Sequence, residues 1–262
     1  MLLEGKTAVL YGAGGGIGRG LAQTFSHEGA NLYLTGRTLS KVEALAEEIR
    51  SAGGRAQAAQ VDALDEGAVE AHLQSVIDQA GGVDISFNLI SRGDVQGIPL
   101  VDMTLDDYLR AVVNGLSAQF ITARAAARHM TARGSGVILM ITSGSGSGVP
   151  MMGSTPPADA AMEALLRTLA AEVGPQGVRV LGIWTAGVVE TMTPEAIAAV
   201  NENMQFDEAG LQAMLEGFAQ MTMLRRAPTL LQVAGTAAFL ASDRAAGMTG
   251  TIVNVTCGLI PH

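Results

Sequence analysis

Cysteine is all but missing from this chain of 262 residues, where Cys257 stands alone. A disulfide within the chain and a zinc site built from several thiolates are therefore excluded. Lysine is nearly as scarce, with only Lys6 and Lys41, and tyrosine is limited to Tyr11, Tyr33 and Tyr108. Charged residues make up 16% of the chain, and the net charge is −9. The only adjacent basic pair is Arg225-Arg226. The basic face that nucleic acid requires is absent, so no nucleic-acid partner is expected. No apolar run approaches the roughly 18 residues of a membrane span, so no membrane partner is expected either. Residues 1–6 lack a basic segment leading into a long apolar one, which argues against a signal peptide and makes the cytoplasm the expected compartment. His27, His72, His129 and His262 are scattered without ligand spacing, and no metal is expected.

What the chain has is apolar material, at 48%, and 33 glycines that punctuate it. Short apolar runs predict strands over 7–11, 31–35, 56–61, 84–89, 137–142, 178–184 and 251–255. Helical spacing predicts a first helix with Ile17, Leu21, Ala22 and Phe25 on one face, then helices over 40–52, 66–80, 105–132, 158–173 and 230–241. Apolar strands alternating with helices argue an α/β fold: a doubly wound parallel sheet of Rossmann type. Residues 1–262 read as one domain. Residues 190–223 break the alternation as a helical lid excursion. It carries Met192, Met204, Met214, Met221 and Met223. They either line a hydrophobic substrate pocket or form the lid's own core.

The first strand runs into Gly12-Ala13-Gly14-Gly15-Gly16-Ile17-Gly18, which opens the first helix. Glycines let the backbone approach a pyrophosphate, and the helix start offers free N–H groups and a positive dipole end. Gly12, Gly14, Gly15, Gly16, Ile17 and Gly18 are thus candidate cofactor contacts. After the second strand, an NAD site presents an acid to the ribose hydroxyls. Here the residues are Thr35-Gly36-Arg37. Arg37 is either a solvated loop residue or the partner of a 2′-phosphate, which favours NADP(H) over NAD(H).

Further stretches fall into a pattern. They are Val61-Asp62-Ala63, Asn88 at the end of the fourth strand, Asn114 in the long helix and Ile141-Thr142-Ser143. Ala186-Gly187-Val188-Val189-Glu190-Thr191, Phe239-Leu240-Ala241-Ser242-Asp243 and Met248-Thr249-Gly250 complete it. With the glycine turn, they resemble the short-chain dehydrogenase/reductase family over nearly the whole chain. The resemblance implies that Asp62 and Ala63 contact adenine, and that Asn88 lies beside the cofactor. It also implies that Asn114 orders a proton-relay water, that Ser143 contacts substrate, and that Val189 and Thr191 border the nicotinamide. It implies pairing of helices 105–132 and 158–173 across subunits, giving a homodimer or homotetramer.

One part of the family pattern is missing. The family places a Tyr about twelve residues after the serine and a Lys one helical turn beyond, on one helix face. Those positions hold Thr155 and Asp159. The following Ala160-Ala161-Met162-Glu163-Ala164-Leu165 keeps the family pattern and anchors the register. In the family the Lys lowers the Tyr pKa, and the Tyr moves a proton as hydride moves. Thr155 has an aliphatic hydroxyl and reads either as a substitute or as an N-terminal helix residue. Asp159 could accept ribose hydroxyl bonds or act as a general base, or it could be a first-turn acid favoured by the helix dipole. Ser143 could merely cap the Ser/Gly turn that follows it. Asn114 could be a buried helix asparagine satisfying backbone groups. Arg92 and Asp94 border the site, with loop solvation as the expected role. His129 reads as a dipole partner late in its helix.

The leading expectation is an NADP(H)-dependent oxidoreductase. It would transfer a hydride to or from a small, hydrophobic carbonyl or alcohol substrate by a non-standard proton path. A cofactor-binding pseudoenzyme or regulatory partner, and a non-redox lyase or isomerase using Asp159 as base, remain as alternatives.

Overall fold

The computed structural model describes residues 1–260, and of Ser147 the backbone alone; His262 lies outside the described residues. Seven parallel strands form one sheet in the order β3-β2-β1-β4-β5-β6-β7. They are β1 (Thr7–Tyr11), β2 (Asn31–Gly36), β3 (Arg55–Gln60), β4 (Ile85–Asn88), β5 (Gly136–Thr142), β6 (Val178–Trp184) and β7 (Ile252–Asn254). The helices are α1 (Gly16–His27), α2 (Leu39–Ser51), α3 (Glu66–Ala80), α4 (Leu105–Arg133) and α5 (Thr155–Val173). They continue with α6 (Pro194–Ala198), α7 (Glu208–Met221) and α8 (Leu230–Ala241).

The period of two along each strand divides the interior. In β1, Ala8 and Leu10 join one core with Phe25 of α1, Leu45 of α2 and Val233 of α8. Val9 and Tyr11 join the opposite core with Leu73 of α3, Ala126 and Met130 of α4, and Leu166 of α5. Both faces of the sheet are covered at its centre, which is why β1, β4, β5 and β6 are buried along nearly their whole length. The caps that end the helices are local. Asp65 accepts the Ala68 N–H, Thr104 accepts the Asp107 N–H, and Thr229 and Gln232 form a capping box.

The chain steps outward from β1 to β2 and β3, then crosses back to β4 on the other side of β1. Ligands of doubly wound sheets bind outside the strand ends at such a switch point. Helix α5 begins at Thr155 rather than near 158, because Pro156 and Pro157 occupy its first turn, where a missing N–H costs nothing. The 190–223 excursion contains α6 and α7, and α7 buries none of its residues fully. Met221 and Met223 are exposed, so these two form no lid core. Among the described residues, no helix is long and apolar enough to cross a membrane.

His129 is more than a dipole partner: its Nε2 accepts the Val83 N–H at 3.2 Å, which requires the neutral ring. Burial, reinforced by Arg133, lowers its pKa, and burial alone lowers that of His72. Both groups bind protons more weakly folded than unfolded. Stability should therefore be fully present above about pH 6.5 and fall as pH drops toward their folded values. Thermal melts of His72→Gln/His129→Gln should show a shallower loss of stability between pH 6.5 and 5 than the parent. Parallel pH profiles would show that carboxylates govern that window instead.

Candidate active site

A cleft of about 760 Å³ opens at the switch point, running from the glycine turn to the ends of β5 and β6. Two of the glycines serve packing. Gly12 has φ +79°, and a Cβ there would lie 2.8 Å from the Leu89–Ile90 backbone. A Cβ on Gly18 would lie 2.7 Å from the Gly12 carbonyl oxygen. Gly14, Gly15 and Gly16 instead lie exposed along the cleft, with Ile17 behind them. Gly15 caps α1 without a side-chain bond, and the first turn holds no acid. The leading N–H groups of α1 are left for an anion.

Arg37 follows β2 and lines the same cleft, as does Lys41 in the first turns of α2. Among the described residues, neither forms an ion pair. Asp62 and Ala63 form the next part of the wall, and Asp62 Oδ1 accepts the Leu64 N–H at 3.0 Å. Asn88 also lines the cleft, its amide held by Thr122 Oγ1 and the Ile90 N–H, each at 3.1 Å. Thr191 lines it too. Val189 does not: it is 41% exposed, and its N–H donates to the Pro228 carbonyl. The buried Gln119 Oε1 and Thr185 Oγ1, both on wall residues, have no partner. Bare glycine backbone, uncapped N–H groups, two unpaired cations and orphaned polar atoms together fit a dinucleotide.

The Ser143 end is organised around Arg92. The guanidinium is only 13% exposed and forms a bidentate pair with Asp94, Nη2 to Oδ1 at 2.7 Å and Nε to Oδ2 at 3.2 Å. Its Nη1 donates to Asp159 Oδ1 at 2.7 Å. Burial opposes the charge on Arg92, but the attraction of Asp94 and Asp159 outweighs it and raises the guanidinium pKa. Asp159 is fully buried. Its Oδ2 accepts from Ser143 Oγ at 2.5 Å, Ser143 N at 3.0 Å, Ser145 Oγ at 3.1 Å and Ser145 N at 3.3 Å. Thr155 Oγ1 donates to Asp94 at 2.8 Å and accepts from Gln96 Nε2 at 3.1 Å. Asn114 Nδ2 donates to the Arg92 carbonyl at 3.1 Å.

Three expectations change. Asp159 does not face a ribose or a substrate, because its oxygens are enclosed and engaged by Arg92, Ser143 and Ser145. Thr155 is the first residue of α5 but is 3% exposed and absent from the cleft wall. Arg92 is no solvated loop residue; it is the centre of the site's charges. Ser143 and Asn114 do line the cleft, whereas none of the three tyrosines does. The five methionines of the excursion are also absent from the wall, which takes only Thr191 and Ala196 from that segment. Lys41, Gln119, Met162 and Thr185 line it without having been singled out in the sequence. For Lys41 a signal existed, its place one turn past Arg37; the others carried none.

Comparison with known proteins identifies the family and the fold. A family model described as enoyl-(acyl carrier protein) reductase matches residues 12–260. Oxidoreductase UcpA of Escherichia coli (strain K12) is 34% identical over 251 residues, covering 95% of this chain and 92% of the relative. The 7alpha-hydroxysteroid dehydrogenase of the same strain is 31% identical over 257 residues, covering 98% and 94%. Among solved structures, NAD+-bound xylitol dehydrogenase superposes with a TM-score of 0.86 at 25% identity, covering 98% of this chain and all of that one. A 7α-hydroxysteroid dehydrogenase complexed with NADH and 7-oxo glycochenodeoxycholic acid gives 0.81 at 29% identity, covering 98% and 94%. The fold, the glycine turn and these matches along its length make this chain a member of the short-chain dehydrogenase/reductase family of oxidoreductases.

Proposed function

We propose that the chain is an NADP(H)-dependent oxidoreductase acting on a small, hydrophobic alcohol or carbonyl compound. The observation that carries this reading is the pair of unpaired cations, Arg37 and Lys41, in the cleft that also holds the uncapped α1 start and Ser143. Two cations and no ribose-binding acid after β2 suit a 2′-phosphate. Leu89, Ile90, Ile141 and Met162 give the wall its apolar part. The nicotinamide, when bound, exchanges hydride with the substrate carbon. Ser143 holds the substrate oxygen, and the alcohol proton is exchanged with water, because Thr155 and Asp159 are both engaged behind the wall. Residues 190–223 serve as the lid, through Thr191 and Ala196. The exposed Leu105, Leu109, Val113 and Phe120 of α4 support pairing of α4 and α5 across subunits as a homodimer or homotetramer.

Fluorescence titration tests the cofactor. Losing charge-assisted bonds to a phosphate, Arg37→Ala/Lys41→Ala should weaken NADPH binding by about ten- to a hundredfold and leave NADH nearly unchanged. Gly15→Glu should abolish binding of both, because it fills the phosphate cradle, while its Cβ meets only the Gly12 oxygen at 3.7 Å. Tighter binding of NADH than NADPH by the parent would refute the NADP(H) assignment.

A second reading, a cofactor-binding pseudoenzyme or regulatory partner, is favoured by one observation: Thr155 and Asp159 are buried behind the wall and do not line the cleft. Tight NADPH binding without turnover on panels of alcohols, carbonyls, enones and imines would select it.

A further inference from the structure

We infer that Ser143 is an obligate hydrogen-bond acceptor, so that the cleft takes its substrate in the hydroxyl-bearing form, as an alcohol rather than a ketone. This rests on the redox reading above and adds the substrate class and the preferred ligand pair.

A serine hydroxyl carries one proton. In this structure Ser143 Oγ lies 2.5 Å from Asp159 Oδ2. Asp159 Oδ1 forms an ion pair with Arg92 Nη1 at 2.7 Å, and the carboxylate of such a pair only accepts. The Ser143 proton therefore points into the wall. The arrangement has little freedom, since the same Oδ2 also accepts the Ser143 and Ser145 backbone N–H groups and the Ser145 hydroxyl. Only lone pairs of Ser143 remain for the cleft. A ligand must bring its own O–H; a bare carbonyl there would set oxygen against oxygen. Of the neighbouring donors, Thr142 Oγ1 donates to Glu163 at 3.4 Å, and Asn114 Nδ2 spends one of its two hydrogens on the Arg92 carbonyl. Thr185 keeps an uncommitted hydroxyl, but that oxygen is buried within the wall.

Charge points the same way. Arg92 stands between Asp94 and Asp159, so the trio carries one net negative charge beside Ser143. Because all three side chains are largely buried, that charge is weakly screened, and it favours a cationic, oxidised nicotinamide over a neutral, reduced one. Alcohol and oxidised cofactor form the matched pair.

Two measurements on the full chain test this. Neutron diffraction from deuterated crystals should place the Ser143 deuterium on the line to Asp159 Oδ2; a deuterium pointing into the cleft, or one residing on Asp159, overturns the inference. Binding of cyclohexanol and cyclohexanone to the NADP+-loaded protein, a pair matched in shape, should favour the alcohol by about ten- to a hundredfold, the effect of one unmet buried hydrogen bond. Ser143→Ala should erase the difference. An alcohol that binds no more tightly than its ketone to the parent refutes the inference. A protein that binds neither NADP+ nor NADPH sinks the redox reading instead, and the deuterium position still decides the state of Ser143.

Discussion

Arg92→Ala is expected to cost about 3–5 kcal/mol of stability, the range for removing one partner of a buried ion pair. In a chain of this size that lowers the melting temperature by about 10 °C. Among the described residues, Arg92 supplies the only cation to two carboxylates, Asp94 at 14% side-chain exposure and Asp159 at none. Without it, two like charges face each other behind the wall, and Ser143, Ser145 and Thr155 lose a fixed partner geometry. Arg110→Ala, by contrast, removes an exposed pair with Asp107 and should move the melting temperature little. The loss in Arg92→Ala/Asp159→Ala should be smaller than the sum of the two single losses, because removing the second charge relieves the first. Calorimetric melts of the parent and the four variants, Arg92→Ala, Asp159→Ala, their double and Arg110→Ala, give the answer. An Arg92→Ala protein as stable as Arg110→Ala would show that the trio is solvated and contributes nothing.

The second large effect concerns restoring the family's residues. Thr155→Tyr/Asp159→Lys installs the Tyr and Lys that the family uses, yet it should fail. The new ammonium would lie at a fully buried position against the Arg92 guanidinium, and four donors from Ser143 and Ser145 would lose their acceptor. Aggregation, or a melting temperature depressed by more than about 10 °C, is the expected result. Adding Arg92→Gly removes the competing cation and should recover most of that loss. If the relay is then reconstituted, NADP+-dependent alcohol oxidation should rise by about 10²-fold or more, the usual contribution of a positioned acid/base. A double variant as stable as the parent would contradict the claim that Arg92 and a lysine at 159 are mutually exclusive. In this structure the buried cation of the site, Arg92, comes from the segment after β4, and α5 supplies the carboxylate of Asp159.

Much of the fold was legible along the chain, for a local reason. β1, β4, β5 and β6 are apolar in alternate directions because both sheet faces are covered, and that pattern lies in consecutive residues. Helices α3, α4 and α8 begin at residues that follow a capping Asp or Thr. The start of α5 was less legible, because helical spacing begins at Ala158 whereas the backbone is already helical at the two prolines. The methionines of the excursion gave no reliable guide, since a flexible apolar side chain suits an exposed helix rim and a pocket equally.

What the sequence determined by itself was the doubly wound sheet, the glycine turn at its switch point, the arginine after β2, and Thr155 and Asp159 at the positions where the resemblance implies a Tyr and a Lys. Each is a property of residue type at a near-neighbour spacing. Only the tertiary structure decided what fills the gap. Arg92 reaches Asp159 across 67 positions and Thr155 reaches Asp94 across 61. Whether an aspartate at a helix start faces a cleft or is sealed behind it depends on which cation the fold brings to it. Burial and through-space charge make that choice, and no periodicity in the chain records it.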